Sequence, residues 1–300
     1  MAMRRMFALA AVMPAIVSGT LAGSALAQDG RFDVGGGRMI RLFCLGPGQG
    51  QGAPTVVVDA GMGMAPVEDE AWRRIAARVS QTTRVCLYDR AGLGGSDPAP
   101  AGEPRTSADA AADLEAALRA ARIAPPFLLA GHSIGGLHAQ VFAARYPEET
   151  AGLVLISSTH PDQMEAWLAR LPAATPGEPK PLSDARGFLT RMPRDPSLNP
   201  ENLDVAASNG QARELRSLGD KPVVVATHSP KWRMVPDLPE PLSVELEAVT
   251  QDLQKGFLAL SPRATQVIAP SAGHGLPHED PGFVTEAILG GVRAARERRP

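Results

Sequence analysis

Short apolar runs alternate with amphipathic stretches along most of the 300-residue chain. Nearly continuous runs of aliphatic and β-branched residues predict four buried strands, at 54–61, 83–90, 125–131 and 151–158. Apolar residues at helical spacing predict three intervening helices, at 71–79, 107–123 and 135–147. Alternation of buried strands with helices is typical of the α/β class. We therefore expect a mostly parallel, doubly wound sheet covered on both faces.

This alternation is interrupted between about residues 160 and 219. The interrupting stretch is rich in Pro and polar residues and predicts helices and loops inserted into the domain. The alternation then resumes with a strand, a helix, a last strand with its exit loop and a closing helix, at 221–229, 243–260, 264–275 and 280–297. A helical insertion of this kind is typical of a lid, and pockets form where such a segment meets the carboxyl edge of a sheet.

The first 27 residues differ from the rest. Arg4 and Arg5 precede an interrupted apolar stretch that ends in Ala25-Leu26-Ala27, a small-x-small cleavage site. This pattern predicts a secretory signal peptide over 1–27, by a general or a twin-arginine export route, with residues 28–300 as the mature domain. An uncleaved membrane anchor is the alternative. We expect an exported protein, periplasmic or secreted.

Export would change the interpretation of the two cysteines, Cys44 and Cys86. Each lies in an apolar, strand-like run, and an oxidising compartment allows a disulfide to persist. The alternative is two buried free thiols. No histidine pair at ligand spacing accompanies them, so we expect no metal site. A net charge of −2 and 4% aromatic residues argue against a nucleic-acid partner.

One serine lies at a predicted strand-to-helix turn. Residues 131–135, Gly-His-Ser-Ile-Gly, fit the G-x-S-x-G pattern of a nucleophile elbow, with Ser133 at its centre. Small flanking residues let strand and helix approach closely, and the helix N-terminus stabilises negative charge on an oxyanion. A turn serine without chemistry is the alternative. The position between a buried strand and an amphipathic helix favours a nucleophile.

A serine nucleophile needs a base and an oxyanion hole. His274 follows the last predicted strand, where this architecture places its base, among small residues that leave the imidazole free; His278 is the second choice. The backbone N–H of Ile134 and that of Met62, in the glycine-rich turn after the 54–61 strand, are the candidate oxyanion donors.

Several segments together resemble the α/β-hydrolase superfamily, in its lid-bearing single-domain branch. They are VVVDAGMG, CLYDRAGLGGSDP, LLAGHSIGGLHAQVFAARYP, AGLVLISSTHPDQ and SAGHGLPHEDPGFV, and the resemblance extends from about Gly35 to Arg296. The resemblance implies the α/β-hydrolase fold with a helical lid. It also implies that the strands holding Cys44 and Cys86 are neighbours, which favours a disulfide between them.

Members of this family usually have a third catalytic residue, an acid that orients the histidine. The sequence departs from the family pattern at this acid. The turn after 221–229 has no aspartate before Asp237, and the residue nearest the end of the 151–158 strand is Ser157. We favour Asp162 as the acid, followed by Asp237 and Asp252. Asp162 also suits a helix N-cap. A site without an acid, in which a backbone carbonyl or water orients His274, stays open.

These observations predict an exported serine hydrolase that cleaves ester-type acyl substrates through an acyl-enzyme, without metal or organic cofactor. The expected partner is a small-molecule acyl substrate, and the expected assembly is a monomer or small homo-oligomer. An aminopeptidase or amidase is an alternative, with Glu165 and Asp184 available to bind an amine. A binding protein that has lost catalysis is another.

Overall fold

An eight-stranded sheet forms the centre of the molecule. The computed structural model describes residues 27–47, 52–235 and 237–297. The predicted signal peptide therefore lies outside the described residues except for Ala27. The strands are β1 Gln28–Asp33, β2 Met39–Leu45, β3 Thr55–Asp59, β4 Val85–Tyr88, β5 Phe127–His132, β6 Thr150–Ile156, β7 Val223–Thr227 and β8 Ala264–Ile268.

The strand order is β1-β2-β4-β3-β5-β6-β7-β8. The first two strands form a hairpin, and β2 pairs antiparallel with β4. Every pair from β4 through β8 is parallel. Four neighbouring strands form the centre of the sheet: β3, β5, β6 and β7. They are buried along their whole length, as their apolar runs require. The predicted mostly parallel, doubly wound sheet is confirmed.

Helices cover both faces of the sheet. They are α1 Glu70–Val79, α2 Ser107–Ala120, α3 Ile134–Arg145, α4 Gln163–Leu168, α5 Lys180–Arg191, α6 Val205–Ala212, α7 Glu240–Gly256, α8 Leu276–Glu279 and α9 Pro281–Arg296. One apolar cluster joins the sheet to α2, α3 and α6, and a second joins its other face to α1 and α9. The parallel strands thus end at one edge between two helical layers, which is the place where this architecture forms sites.

Residues 160–219, the predicted lid, contain α4, α5 and α6. Helices α4 and α5 share a separate apolar cluster with α7, which includes Trp167, Leu189 and Leu246. The indole Nε1–H of Trp167 donates to the carbonyl of Leu246 at 3.2 Å and to the hydroxyl of Thr250 at 3.1 Å. These contacts fix the inserted helices to α7, above the carboxyl edge of the sheet.

The two cysteines lie directly opposite each other on β2 and β4, and their sulfurs are bonded. Both side chains are fully buried in the cluster beneath α2. The antiparallel pairing of β2 with β4 is the reason that residues 42 positions apart meet.

The described part of the chain contains no helix that is both long and apolar enough to cross a membrane. Within the same residues, no group of three or more His, Cys, Asp or Glu side chains is arranged to hold a metal ion.

The disulfide is expected to stabilise the fold by restricting the unfolded chain. Replacing both Cys44 and Cys86 with Ala should lower the free energy of unfolding by about 4 kcal/mol, given that the bridge closes a loop of 42 residues. Urea unfolding followed by circular dichroism measures this change. Reductant should destabilise the wild type and leave the double variant unaffected. Free thiols at both positions in protein purified without reductant would contradict the expectation.

Candidate active site

Ser133 lies on a strained turn between β5 and α3. Its backbone has φ 54° and ψ −123°, a conformation that is rare for a residue with a side chain. The two flanking glycines are required by space. A Cβ at Gly131 would come within 2.5 Å of the carbonyl oxygen of Gly135, and a Cβ at Gly135 would overlap the carbonyl oxygen of Asp59. The turn therefore presents the Ser133 hydroxyl at the carboxyl edge of the sheet, as the elbow pattern requires.

His274 reaches Ser133 from the loop that follows β8. Its Nε2 is 2.9 Å from the Oγ of Ser133. The loop is held by the carboxylate of Glu279, which accepts from the N–H of Gly273 at 2.6 Å. The Trp232 ring stacks on the imidazole of His274, with centroids 5.8 Å apart and planes 16° apart. A Cβ at Gly273 would come within 2.6 Å of that indole, so glycine is required there.

Burial dominates the electrostatics of His274. Loss of solvent, with the nearby His132 and His228 imidazoles adding to it, lowers the pKa of His274 to about 3. Burial likewise lowers the pKa of His132 to about 4. The Nε2 of His132 is 2.8 Å from the backbone oxygen of His274. Both imidazoles are therefore neutral near pH 7, and a neutral His274 is able to accept a proton.

The other nitrogen of His274 is bonded to a serine. Its Nδ1 is 2.8 Å from the Oγ of Ser157, and the same Oγ is 2.6 Å from the Nδ1 of His228. The Nε2 of His228 is in turn 3.0 Å from Oε1 of Glu247 on α7. The Nε2–H₂ group of Gln251 donates to that oxygen at 2.7 Å. A continuous chain of hydrogen bonds thus leads from Ser133 to a carboxylate on α7.

The structure does not bring Asp162, the expected acid, to His274. Its carboxylate accepts from Nε of Arg213 at 2.7 Å, a charge-assisted bond, and lies 3.7 Å from Nδ1 of His160. Asp162 occupies the N-cap position of α4 without a capping hydrogen bond from its side chain. Asp237 lines the nearby cavity, and Asp252 is exposed on α7.

His278, the second choice for the base, does not contact Ser133. His278, on α8, is 2.8 Å from the carboxylate of Asp69 at the N-terminus of α1. This pair joins α8 to α1 on the face of the sheet that α9 covers. His138, within α3, is buried and hydrogen-bonded to Ser107 at 2.8 Å.

Sequence reasoning missed the chain behind His274. The chain has three members: Ser157 comes directly after β6, His228 comes directly after β7, and Glu247 lies within α7. One signal was available: Glu247 shares the buried face of its helix with Leu246 and Thr250, where an unpaired acid is costly. A carboxylate predicted on a buried helix face indicates a polar partner inside the fold.

The turn that holds Met62 is anchored by a buried arginine. The guanidinium of Arg90 donates to the backbone oxygens of Ala60 and Gly61, each at 2.7 Å. It also pairs with Asp59 at 2.6 Å and with Glu201 at 2.7 Å. These bonds fix the backbone of the turn.

Glu201 connects this turn to the inserted segment. Its Oε1 accepts from the N–H of Gly63 at 2.8 Å. Burial alone would raise the pKa of Glu201, but the hydrogen bonds and charge of Arg90 outweigh it, so the pKa lies below its usual value. Glu201 is therefore ionised near neutral pH and pairs with a charged Arg90.

A cavity of about 590 Å³ opens above Ser133. Met62, Ile134 and His274 line this cavity together with Ser133. The two residues that carry the candidate oxyanion donors, Met62 and Ile134, therefore border the same cavity as the Ser133 hydroxyl. More than half of the lining residues are apolar residues of the inserted segment and the 234–235 loop: Met164, Trp167, Pro181, Ala185, Phe188, Met192, Val205, Met234 and Val235. Such a volume and lining fit a small organic ligand with an apolar portion.

The Arg90 cluster is expected to be important for stability. Replacing Arg90 with Met should lower the free energy of unfolding by about 3–5 kcal/mol, because Asp59 and Glu201 would remain buried without their cation. Urea unfolding measures the change. Arg74→Met is the matched control, since Arg74 pairs with Glu70 on the exposed surface of α1 and should change stability by less than about 0.5 kcal/mol. Equal effects of the two substitutions would contradict this role.

Known proteins resemble this chain in sequence or in fold. A probable transporter of Hormonema carpetanum, efuK, is 26% identical over 302 residues, and the match covers 87% of this chain. The chain spans 42% of that relative's length. The crystal structure of Cfl2 from Burkholderia cenocepacia superposes with a TM-score of 0.58 at 24% identity, over 87% of this chain and 95% of that chain.

A thermophilic esterase from Thermogutta terrifontis superposes with a TM-score of 0.55 at 23% identity, over 90% of this chain and all of that chain. At these identities the two structures establish the fold alone. The sequence profile of the alpha/beta hydrolase family matches residues 47–287, which is most of the chain. By this match, and by the sheet order and turn described above, the chain belongs to the alpha/beta hydrolase family.

Proposed function

We propose that this protein is a serine hydrolase that cleaves ester-type acyl substrates through an acyl-enzyme. The observation that carries the proposal is the 2.9 Å contact between the Oγ of Ser133, on its strained turn, and Nε2 of the half-buried, neutral His274. A hydroxyl becomes a useful nucleophile when a base within this distance takes its proton. Members of one fold family differ in chemistry, so this geometry, and not the fold, supports the assignment.

The proposed reaction begins with attack of the Ser133 oxygen on the carbonyl carbon of the substrate, while the hydroxyl proton moves to Nε2 of His274. The N–H groups of Ile134 and Met62 stabilise the resulting oxyanion. His274 then returns the proton to the leaving oxygen as the carbon–oxygen bond breaks. Water attacks the acyl-enzyme by the same steps in reverse and releases the acid.

The apolar lining of the cavity favours a substrate whose acyl or alcohol group is apolar and binds there. Side chains of α4 and α5, such as Trp167 and Phe188, form much of its wall. We propose that residues 160–219 act as a lid, which would set substrate choice through these side chains. The Thermogutta terrifontis protein that superposes on this chain is described as an esterase, and that description agrees with the proposed activity.

An amidase or aminopeptidase is the second candidate. Asp184 and Asp237 are acidic residues in the cavity wall and could attract a substrate amine. Asp184 already pairs with Lys180 on the exposed surface of α5 at 2.5 Å, which weakens its attraction for a cation. Comparison of an aryl ester with an aminoacyl arylamide separates the two candidates.

Export is proposed on two grounds. Residues 1–27 have the pattern of a signal peptide, and Cys44 and Cys86 form a disulfide of the kind that persists in an oxidising compartment. The N-terminal residue of the purified mature protein, read by mass spectrometry, tests the proposed cleavage after Ala27.

Ser133→Ala is expected to abolish covalent labelling by a fluorophosphonate probe and to reduce hydrolysis of a short-chain aryl ester by about 1,000-fold or more, because no other group replaces the nucleophile. Intact-protein mass spectrometry counts the label, and absorbance follows the ester. Ser197→Ala, at an exposed serine, is the matched control and should keep both activities. Labelling that persists in Ser133→Ala would overturn the assignment.

The pH dependence of kcat/KM is expected to reflect the lowered pKa of His274. Since kcat/KM reports the free enzyme and the pKa is about 3, the value for an uncharged aryl ester should stay nearly constant from pH 8 to pH 5. A base with an ordinary histidine pKa would lose about 30-fold at pH 5. Circular dichroism at each pH verifies that the protein is folded. An acid limb centred near pH 6.5 would contradict the expectation.

A further inference from the structure

We infer that Ser157, His228 and Glu247 form a positioning relay that takes the place of a triad carboxylate behind His274. The inference rests on the proposed function, because it assigns to these residues a role in orienting and stabilising the proposed base. None of the three touches the substrate cavity. Each acts through the next, so their effect reaches Ser133 only through the imidazole of His274.

The carboxylate at the far end sets the direction of every hydrogen bond. In the relay His228 is neutral and Glu247 is an anion that can only accept, so Nε2 of His228 carries the hydrogen and Nδ1 of His228 is left as an acceptor. The hydroxyl of Ser157 must then donate to that Nδ1 at 2.6 Å. Its lone pairs face Nδ1 of His274 at 2.8 Å, which therefore carries a hydrogen.

This direction leaves Nε2 of His274 as the unprotonated nitrogen, facing the hydroxyl of Ser133. The tautomer that a general base needs is thus specified by Glu247, through one hydroxyl and one imidazole. A carboxylate bonded directly to Nδ1 specifies the same tautomer in a Ser-His-Asp triad. The relay performs that task across a longer path.

Burial makes the relay electrostatically effective. Ser157, His228 and Glu247 are each at most 2% exposed. Hydrogen bonds that share one direction polarise one another, and little water is present to screen them. When His274 takes the proton of Ser133, it gains a positive charge, and the chain offers that charge the negative potential of Glu247. The stabilisation is realised in the transition state and raises kcat.

Glu247 is held for this purpose by neighbours that do not neutralise it. Oε1 of Glu247 accepts from both His228 and Gln251, whose amide also donates to the backbone oxygen of His228 at 3.2 Å. Its other oxygen, Oε2, is buried without a hydrogen-bond partner among the described residues. His228, at 3.0 Å, is neutral in the relay and leaves the charge of Glu247 uncompensated. The negative charge is therefore directed into the chain.

The backbone at Ser157 supports a positioned role. Its φ is 40°, a region that favours glycine, and its N–H donates to the backbone oxygen of Ala226 at 2.8 Å. Residues on both sides, Ile156 and Ser158, are buried, so the surrounding packing maintains the strain. The result places the hydroxyl between two imidazoles on separate loops.

Four variants test the relay: Glu247→Gln, Ser157→Ala, Ser157→Asp, and Ser157→Asp combined with Glu247→Gln. Glu247→Gln keeps the size and an acceptor oxygen but removes the charge. Ser157→Asp places a carboxylate directly beside His274. The matched control is Glu245→Gln, because Glu245 lies on the exposed face of the same helix, where it pairs with Arg170. Circular dichroism and thermal melting verify that each variant is folded.

Glu247→Gln is expected to reduce kcat for the aryl ester by about 10- to 100-fold with little change in KM. Ser157→Ala should lose at least as much, and Glu245→Gln should lose nothing. In the Ser157→Asp background, Glu247→Gln should cost less than about 3-fold, because the nearer carboxylate replaces the relay. Unchanged kcat in Glu247→Gln, or an equal loss in both backgrounds, would overturn the relay and leave Glu247 with a structural role.

The pH profile supplies a second readout. The groups that face the His274 ring or its loop are His132, His228, Glu279 and, through His228, Glu247. An adjacent carboxylate favours the charged imidazole, so Ser157→Asp should move the acid limb of kcat/KM to higher pH than in the wild type. An unmoved limb in a folded variant that binds the ester would contradict the direct contact on which the design depends.

Nitrogen-15 NMR of the histidine rings separates failure of the relay from failure of the proposed function. In the wild type, His228 should carry its hydrogen on Nε2 and His274 on Nδ1, whether or not any ester is hydrolysed. The predicted tautomers in a protein without esterase activity would retain the hydrogen-bond chain and reject the function. Esterase activity with the opposite tautomer at either histidine would reject the relay alone.

Discussion

The imidazole of His274 can take a proton from Ser133 only while its Nε2 faces the hydroxyl without a hydrogen, and that condition organises the structure around His274. Ser157 bonds the opposite nitrogen, Trp232 stacks on the ring, and His132 contacts the backbone oxygen of the same residue. Together with His274 itself, these groups lie at or just after the ends of four neighbouring strands, β5 to β8. The parallel strands are therefore necessary to the site, because they end together at that edge.

Burial has two opposite consequences here. It strengthens the hydrogen bonds that orient the base, and it lowers the pKa of His274 to about 3. The fold accommodates two buried charge sites, the Arg90 cluster and Glu247, each connected to the proposed active site. Arg90 with its carboxylates stabilises the turn on the proposed oxyanion side, while Glu247 lies behind the imidazole. In both places a buried charge is connected to the site through backbone or neutral polar groups.

Local sequence was informative wherever function depends on a short segment. The elbow pattern at 131–135 requires small residues because strand and helix approach within contact distance there. The choice of His274 followed from chain order, since the loop after the last strand supplies the base in this architecture. The contact between Cys44 and Cys86 followed from the strand order that the family resemblance implied. Asp162 lies near in sequence to the end of β6, but the guanidinium of Arg213 holds its carboxylate away from His274.

The sequence by itself determined the α/β class, the mostly parallel sheet and the turn that presents Ser133, because each is encoded by periodicity or by residue size over a few positions. The tertiary structure alone decided what stands behind His274. Ser157, His228 and Glu247 belong to three elements separated by as many as 90 positions, and no spacing rule relates them. Their contact depends on how α7 packs against the ends of β6 and β7, which is a property of the assembled core.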